Sequence, residues 1–128
     1  MIPRFRAWDK TCKTMYEADD IMYIDFREKE ICVETLFFEK AARYDFDDVV
    51  LMQSTGLKDK NGKEIFEGDI IDSTDGVLTG VIEFRVGLGM FISDLVEYNN
   101  FERLCNVASS RKIIGNIWEH PELAEVSS

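Results

Sequence analysis

The sequence predicts a mainly β protein, all-β or α+β, on three observations. Runs rich in β-branched and aromatic residues recur along the chain, tight turn signals punctuate them, and the opening Arg4-Phe5-Arg6-Ala7-Trp8 alternates with period two. With 128 residues, 45% apolar and 12% aromatic, the chain can bury a real core in one domain or two small ones.

Taken in order, residues 4–8 read as a half-buried strand, with Arg4, Arg6 and Trp8 on one face and Phe5 and Ala7 on the other. Asp9 to Lys13 is a polar turn, and Thr14-Met15-Tyr16 returns as the hairpin partner. Residues 21–26 and 31–38 read as strands bridged by charged residues 27–30. Glu39 to Arg43 reads as a single helical turn. After residue 71, Val77–Phe84 reads as a strand kinked or bulged at Gly80. Gly87-Leu88-Gly89 is a turn, Met90–Ile92 a short strand, and Leu95–Cys105 fits neither period. Lys112–Trp118 is a strong terminal strand, and Pro121 suits the first turn of a short helix.

The densest pattern is LMQSTGLKDKNGKEIFEGDII, residues 51–71. Asp59-Lys60-Asn61-Gly62 is a turn signal between Val49–Met52 and Ile65-Phe66, which together predict a hairpin. Gly56 marks a bend or bulge where the first run ends. Glu67-Gly68-Asp69 is a second tight turn, and a Gly-Asp pair entering Ile70-Ile71 is a common opening of small SH3-like barrels. The expected organisation is an acidic β-rich part over residues 1–50 and an SH3-like β-barrel over 51–128, with a short terminal helix.

Fifteen basic and 25 acidic side chains give a net charge of −10, unevenly spread: +3 over residues 1–16, −7 over 17–48, −1 over 49–70 and −5 over 71–128. That sign repels a polyanion and disfavours direct nucleic-acid binding, apart from any local basic patch near the N-terminus. No apolar run approaches the ~20 residues of a membrane helix, and the opening residues lack a signal-peptide core. A cytoplasmic protein is expected, with Cys12, Cys32 and Cys105 as reduced thiols.

Three segments together resemble the YopX family. Residues 2–9, IPRFRAWD, are similar to its opening; residues 51–70 to its central signature; and residues 114–123, IGNIWEHPEL, to its ending. The resemblance implies a small protein encoded in bacteriophages or prophages, mainly of Gram-positive bacteria and Bacteroides. It also implies a β-rich fold with an SH3-like barrel in the C-terminal half, and higher oligomers. It brings no agreed activity, cofactor or catalytic residue. The chain departs from the family pattern at Ser54, where an aromatic is common, and at Trp118-Glu119-His120.

Candidate chemistry is sparse, and no catalytic, cofactor-binding or metal-ligating residue is nominated. On a strand Asp45 and Asp47 would share a face and offer two carboxylates to a hard cation. The cluster of Asp45, Asp47 and Asp48, like Asp19-Asp20, is more simply a solvated acidic face. His120 is the sole histidine and sits before Pro121, where a cap or turn residue is the natural reading. Gly87-Leu88-Gly89 lacks the helix that a dinucleotide site needs. Arg4, Arg6 and Trp8, with Lys10, could stack on single-stranded nucleic acid, but line an interface or packed edge more readily.

The favoured expectation is a non-enzymatic accessory protein that binds a host or phage protein and forms a homo-oligomer. The alternative is an acidic decoy that imitates nucleic acid and occupies a host DNA- or RNA-binding protein. A metal-dependent hydrolase built on Asp45 and Asp47 is weaker still.

Overall fold

A computed structural model describes residues 3–34 and 41–125, and these form a mainly β protein. The chain divides into two compact units, Ile2–Gln53 and Ser54–Ser128.

In the first unit, β1 (Phe5–Asp9) pairs antiparallel with β2 (Thr14–Tyr16) and with the first half of β6 (Val49–Lys58), placing Ala7 opposite both Tyr16 and Leu51. The expected half-buried strand is instead buried on both faces: Arg6, Ala7, Trp8 and Asp9 are all buried. Alternation in sequence shows which residues share a face, not whether another layer covers that face. The polar turn after β1 forms as expected, since Asp9 Oδ1 accepts the amides of Thr11 and Cys12 at 2.9 and 3.0 Å.

A second sheet runs in the order β3 (Ile21–Asp25), β4 (Glu30–Val33), β5 (Ala42–Asp45). Its central strand contributes buried Ile31, Cys32 and Val33. The apolar core of the unit gathers Ala7, Tyr16, Ile31, Val33 and Val49, with Ile24, Tyr44 and Leu51 packed against it. Two expectations change here. Ala42 and Arg43 belong to β5 and pair with Val33 and Cys32, so these two residues of the helical turn expected over 39–43 are strand; cross-strand pairing overrides the local helix preference of alanine and arginine. The strand expected over 31–38 ends at Val33, and residues 35–40 lie outside the described residues.

The second unit begins with the remainder of β6, which pairs with β7 (Glu64–Phe66) around a bulge between Ser54 and Lys58. Gly56 lies in that bulge, as expected, but the strand continues to Lys58 rather than ending there. Then follow β8 (Asp69–Asp72), β9 (Gly80–Arg85), β10 (Met90–Leu95), β11 (Phe101–Arg103), the short helix α1 (Leu104–Val107) and β12 (Lys112–Asn116). These last strands form one antiparallel sheet in the order β11-β10-β9-β8-β12, curled into a half-barrel. Ile65, Ile71, Ile82, Leu104 and Ala108 fill it.

The turn into β8 needs its glycine, because Gly68 adopts a φ of 84° that L side chains rarely tolerate. Its amide donates to Ile82 O at 2.8 Å and its carbonyl accepts from Ile117 N at 2.9 Å, so it joins three parts of the sheet. Gly80 is explained by close approach rather than by a kink: a Cβ there would overlap Ser93 Oγ on the neighbouring strand. Residues 77–79, expected in the strand, precede it. Asp72 and Ser73 hold them in a loop, as Thr79 Oγ1 donates to Asp72 Oδ1 and Leu78 N to Ser73 Oγ at 3.0 Å each. The terminal strand stops at Asn116 rather than Trp118, because Asn116 Oδ1 accepts the amides of Trp118 and Glu119 and turns the chain. Pro121–Ala124 closes the described chain as a single 3-10 turn.

Candidate functional site

Three polar side chains of the 51–71 segment, Ser54, Asp59 and Asp69, turn inward. Ser54 is buried, donates to Glu64 Oε2 at 2.6 Å and accepts from Gly56 N at 3.1 Å. Asp59 is buried too. Its Oδ1 accepts the amides of Asn61 and Lys63 at 2.9 Å, and its Oδ2 accepts Ile113 N on β12 at 3.0 Å. Burial opposes ionisation of this carboxyl, but the amides of Ile113, Lys63 and Asn61 outweigh it and hold the pKa below the usual carboxylate value. Asp69 Oδ2 accepts Phe66 N at 2.8 Å across the second turn. The carboxylates that make this stretch so patterned thus act as fixed acceptors for backbone amides.

The sequence candidates disperse. Asp45 ends β5, whereas Asp47 and Asp48 lie in a 3-10 turn, so Asp45 and Asp47 do not share a strand face. Among the described residues no group of three or more His, Cys, Asp or Glu stands close enough to hold a metal ion. Arg6 and Trp8 are buried and Arg4 is exposed, pairing with Asp19 at 3.2 Å, so the three present no common basic-aromatic face. His120 does precede the Pro121 turn, but its ring does not cap it; Nδ1 instead accepts Asn116 N at 3.2 Å. Gly87-Leu88-Gly89 forms the tip of the β9–β10 hairpin. The three cysteines are free thiols, with Cys32 buried. No helix among the described residues is long and apolar enough to cross a membrane.

One polar network is buried in the first unit. Tyr16 OH donates to Asp9 Oδ2 at 3.0 Å and lies 2.9 Å from Tyr44 OH, with the two rings stacked at 5.4 Å. Burial and the bonds to Tyr44 and Asp9 raise the Tyr16 pKa, while the amides of Cys12 and Thr11 and the Tyr16 hydroxyl hold Asp9 low against its own burial. A tyrosine held neutral beside an ionised carboxylate is a hydrogen-bond donor, not a base.

Two surface features escaped the sequence reading. The first is a groove of about 290 Å³ in the first unit, whose lining includes Arg4 beside the largely apolar Phe5, Ile21, Tyr23, Ile24 and Phe26. Phe26 is 61% exposed and meets Phe5 edge-on at 6.1 Å and Phe46 at 5.7 Å. The Tyr23 hydroxyl accepts from Arg43 Nε at 3.0 Å and donates to Glu30 Oε1 at 3.3 Å. The second is the β9–β10 hairpin tip in the second unit. Val86 is 84% exposed there and Leu88 and Phe84 are exposed beside it, with Phe84 edge-on to Phe91 at 5.1 Å. Nearby, the Arg85 guanidinium lies 5.3 Å above the exposed Phe101 ring. Exposed aliphatic and aromatic side chains gathered at one place mark interaction surfaces in soluble proteins.

Comparison with known proteins agrees with the motif resemblance. The crystal structure of protein EF1440 from Enterococcus faecalis is similar with a TM-score of 0.68 and 32% identity, over 98% of this chain and 99% of that one. The crystal structure of protein yopX from Bacillus subtilis shares the fold at a TM-score of 0.61 and 21% identity, over 94% of this chain and 96% of that one. No curated protein matches the chain. The family model described as YopX protein matches residues 4–125, and the chain belongs to that family.

Proposed function

We propose that this is a non-enzymatic accessory protein of bacteriophage or prophage origin that works in the cytoplasm by binding protein, and that it does so as a homo-oligomer. We read its second unit as an SH3-like barrel. The strands follow one another as β8, β9, β10, β11, then the short helix α1, then β12 returning beside β8. A fold of this kind supports many functions, so the functional reading rests on surface features instead.

The observation that carries it is the hairpin tip. Val86 and Leu88 project from a two-glycine turn, flanked by exposed Phe84 and Phe101. Covering such side chains against a second copy removes apolar surface from water, at about 25 cal/mol per Å². The net charge of −10 sets a long-range repulsion between copies, so a contact between them needs an apolar centre.

Native mass spectrometry and light scattering over a range of concentrations test this. The wild type is expected to form a discrete oligomer, and Val86→Glu with Leu88→Glu to shift it to monomer with an unchanged far-ultraviolet circular dichroism spectrum. A wild type that stays monomeric at every concentration refutes the oligomer. An oligomer unaffected by the double substitution removes the hairpin tip from the contact.

A further inference from the structure

We infer that the groove of the first unit is a strand-docking site for an extended cationic segment that carries bulky apolar side chains at alternate positions. It shares no residue with the hairpin tip and does not depend on the oligomer.

Its position along a strand edge comes first. β3 is the outer strand of the β3-β4-β5 sheet, and among the described residues no strand pairs with its other edge. Tyr23 and Ile24 are consecutive on β3 and leave it on opposite faces, so a groove bounded by both follows the edge of the strand. A free edge presents backbone N–H and C=O groups that a further strand can pair with. An incoming strand placed there sets alternate side chains into the groove.

Size and stiffness fit a few side chains. The groove of about 290 Å³ lies at the small end of ligand pockets and admits one or two aliphatic or aromatic groups. Its wall is held in place by the Phe5–Phe26–Phe46 edge-on contacts, so little ordering remains to be done on binding.

Charge identifies the occupant. The one charged residue lining the groove, Arg4, is engaged by Asp19, and the neighbouring residues 18–26 add Asp20 and Asp25 with no further base. Beyond them Arg27 and Lys29 balance Glu28 and Glu30, so residues 18–30 keep a net charge of −3, and Glu30 stands opposite Asp25 in the β3–β4 register. Lysine or arginine side chains of an incoming strand meet complementary charge there, whereas an acidic segment is repelled.

Fluorescence anisotropy on the full chain tests the inference, using a short fluorescein-labelled peptide of alternating lysine and leucine. Saturable binding is expected, weakened by salt and reduced about tenfold or more by Phe26→Ser, with Val86→Glu binding as the wild type does. Two further peptides isolate the mechanism. One keeps the charge and replaces leucine by serine; the other keeps the side chains and is N-methylated at alternate residues, which removes the edge hydrogen bonds. Both are expected to lose about tenfold or more. Equal binding of either peptide, an unchanged affinity in Phe26→Ser, loss of binding in Val86→Glu, or no saturable binding at all overturns the inference.

Discussion

Replacing Asp59 by asparagine should cost more stability than any other single-atom change in the 51–71 segment. The carboxylate is 6% exposed and accepts three backbone amides, two within its own turn and one, Ile113 N, from β12. Asparagine preserves the shape but offers one acceptor oxygen, so its amide nitrogen faces either the two turn amides or that of Ile113. Each bond to a charged acceptor contributes about 1.5–3 kcal/mol, and the loss is smaller where water reaches the freed donor. Asn61 and Lys63 are exposed and Ile113 is half-buried, which sets the net cost at about 2–3 kcal/mol. With an m-value of about 1.5 kcal/mol per M, the urea midpoint falls by roughly 1.3–2 M. Hydrogen exchange at the Ile113 amide should accelerate in parallel. The folded pKa of Asp59 lies below its unfolded value, so the carboxylate's contribution is complete above the unfolded value of about 4 and is lost as pH falls through the folded one. Wild type and Asp59→Asn should therefore converge in stability on acidification. A midpoint within about 0.3 M of the wild type at neutral pH, or an Ile113 amide equally protected in both, refutes the assignment of Asp59 as the tie between turn and strand.

Gly80→Ala should destabilise by about 2–3 kcal/mol through overlap with Ser93. Ser93→Gly in the same chain should recover part of that, and strictly additive effects in the double-mutant cycle would exclude the overlap. Tyr16→Phe removes one donor from buried Asp9 and should cost about 1–2 kcal/mol in thermal or urea unfolding. An NMR titration should find the Asp9 pKa closer to its ordinary value, and an unmoved pKa would mean the backbone amides alone hold it low. The Asp45→Ala, Asp47→Ala pair, both exposed, should leave the unfolding free energy within about 0.5 kcal/mol of the wild type.

What could be read from the sequence divides by range. The turns at Asp9–Lys13, Asp59–Gly62 and Glu67–Asp69 form where expected, because each is held by a side chain bonding amides two to four residues away. Strand limits were less legible. Ala42 and Arg43 carry no strand preference of their own and become β5 through Val33 and Cys32. Residues 77–79 leave the strand because Asp72 and Ser73 bind them as a loop. Burial of β1 on both faces was not legible at all, since alternation says which residues share a face and not what packs on it. The groove and the hairpin tip share that property. Phe5 and Phe26 meet only after folding, and nothing local to Gly87-Leu88-Gly89 says that Val86 ends in solvent.

The same division separates stability from recognition. In the signature segment Ser54, Asp59 and Asp69 are buried and bonded to the chain itself, so its pattern records what the backbone requires. The exposed Phe26 and Val86 also lie in turns, but their side chains make none of the turn hydrogen bonds, so their exposure costs the fold little and leaves them able to meet a partner. Substitutions of the two kinds should then be orthogonal. Asp59→Asn is expected to lower the urea midpoint and to leave peptide affinity unchanged under conditions where the variant is folded. Phe26→Ser is expected to weaken peptide binding while changing the unfolding free energy by less than about 1 kcal/mol, because a side chain 61% exposed has little burial to lose. If Asp59→Asn weakened the lysine-leucine peptide as much as Phe26→Ser does, the signature would be part of the recognition surface, and its dense turn pattern would need a functional explanation as well as a structural one.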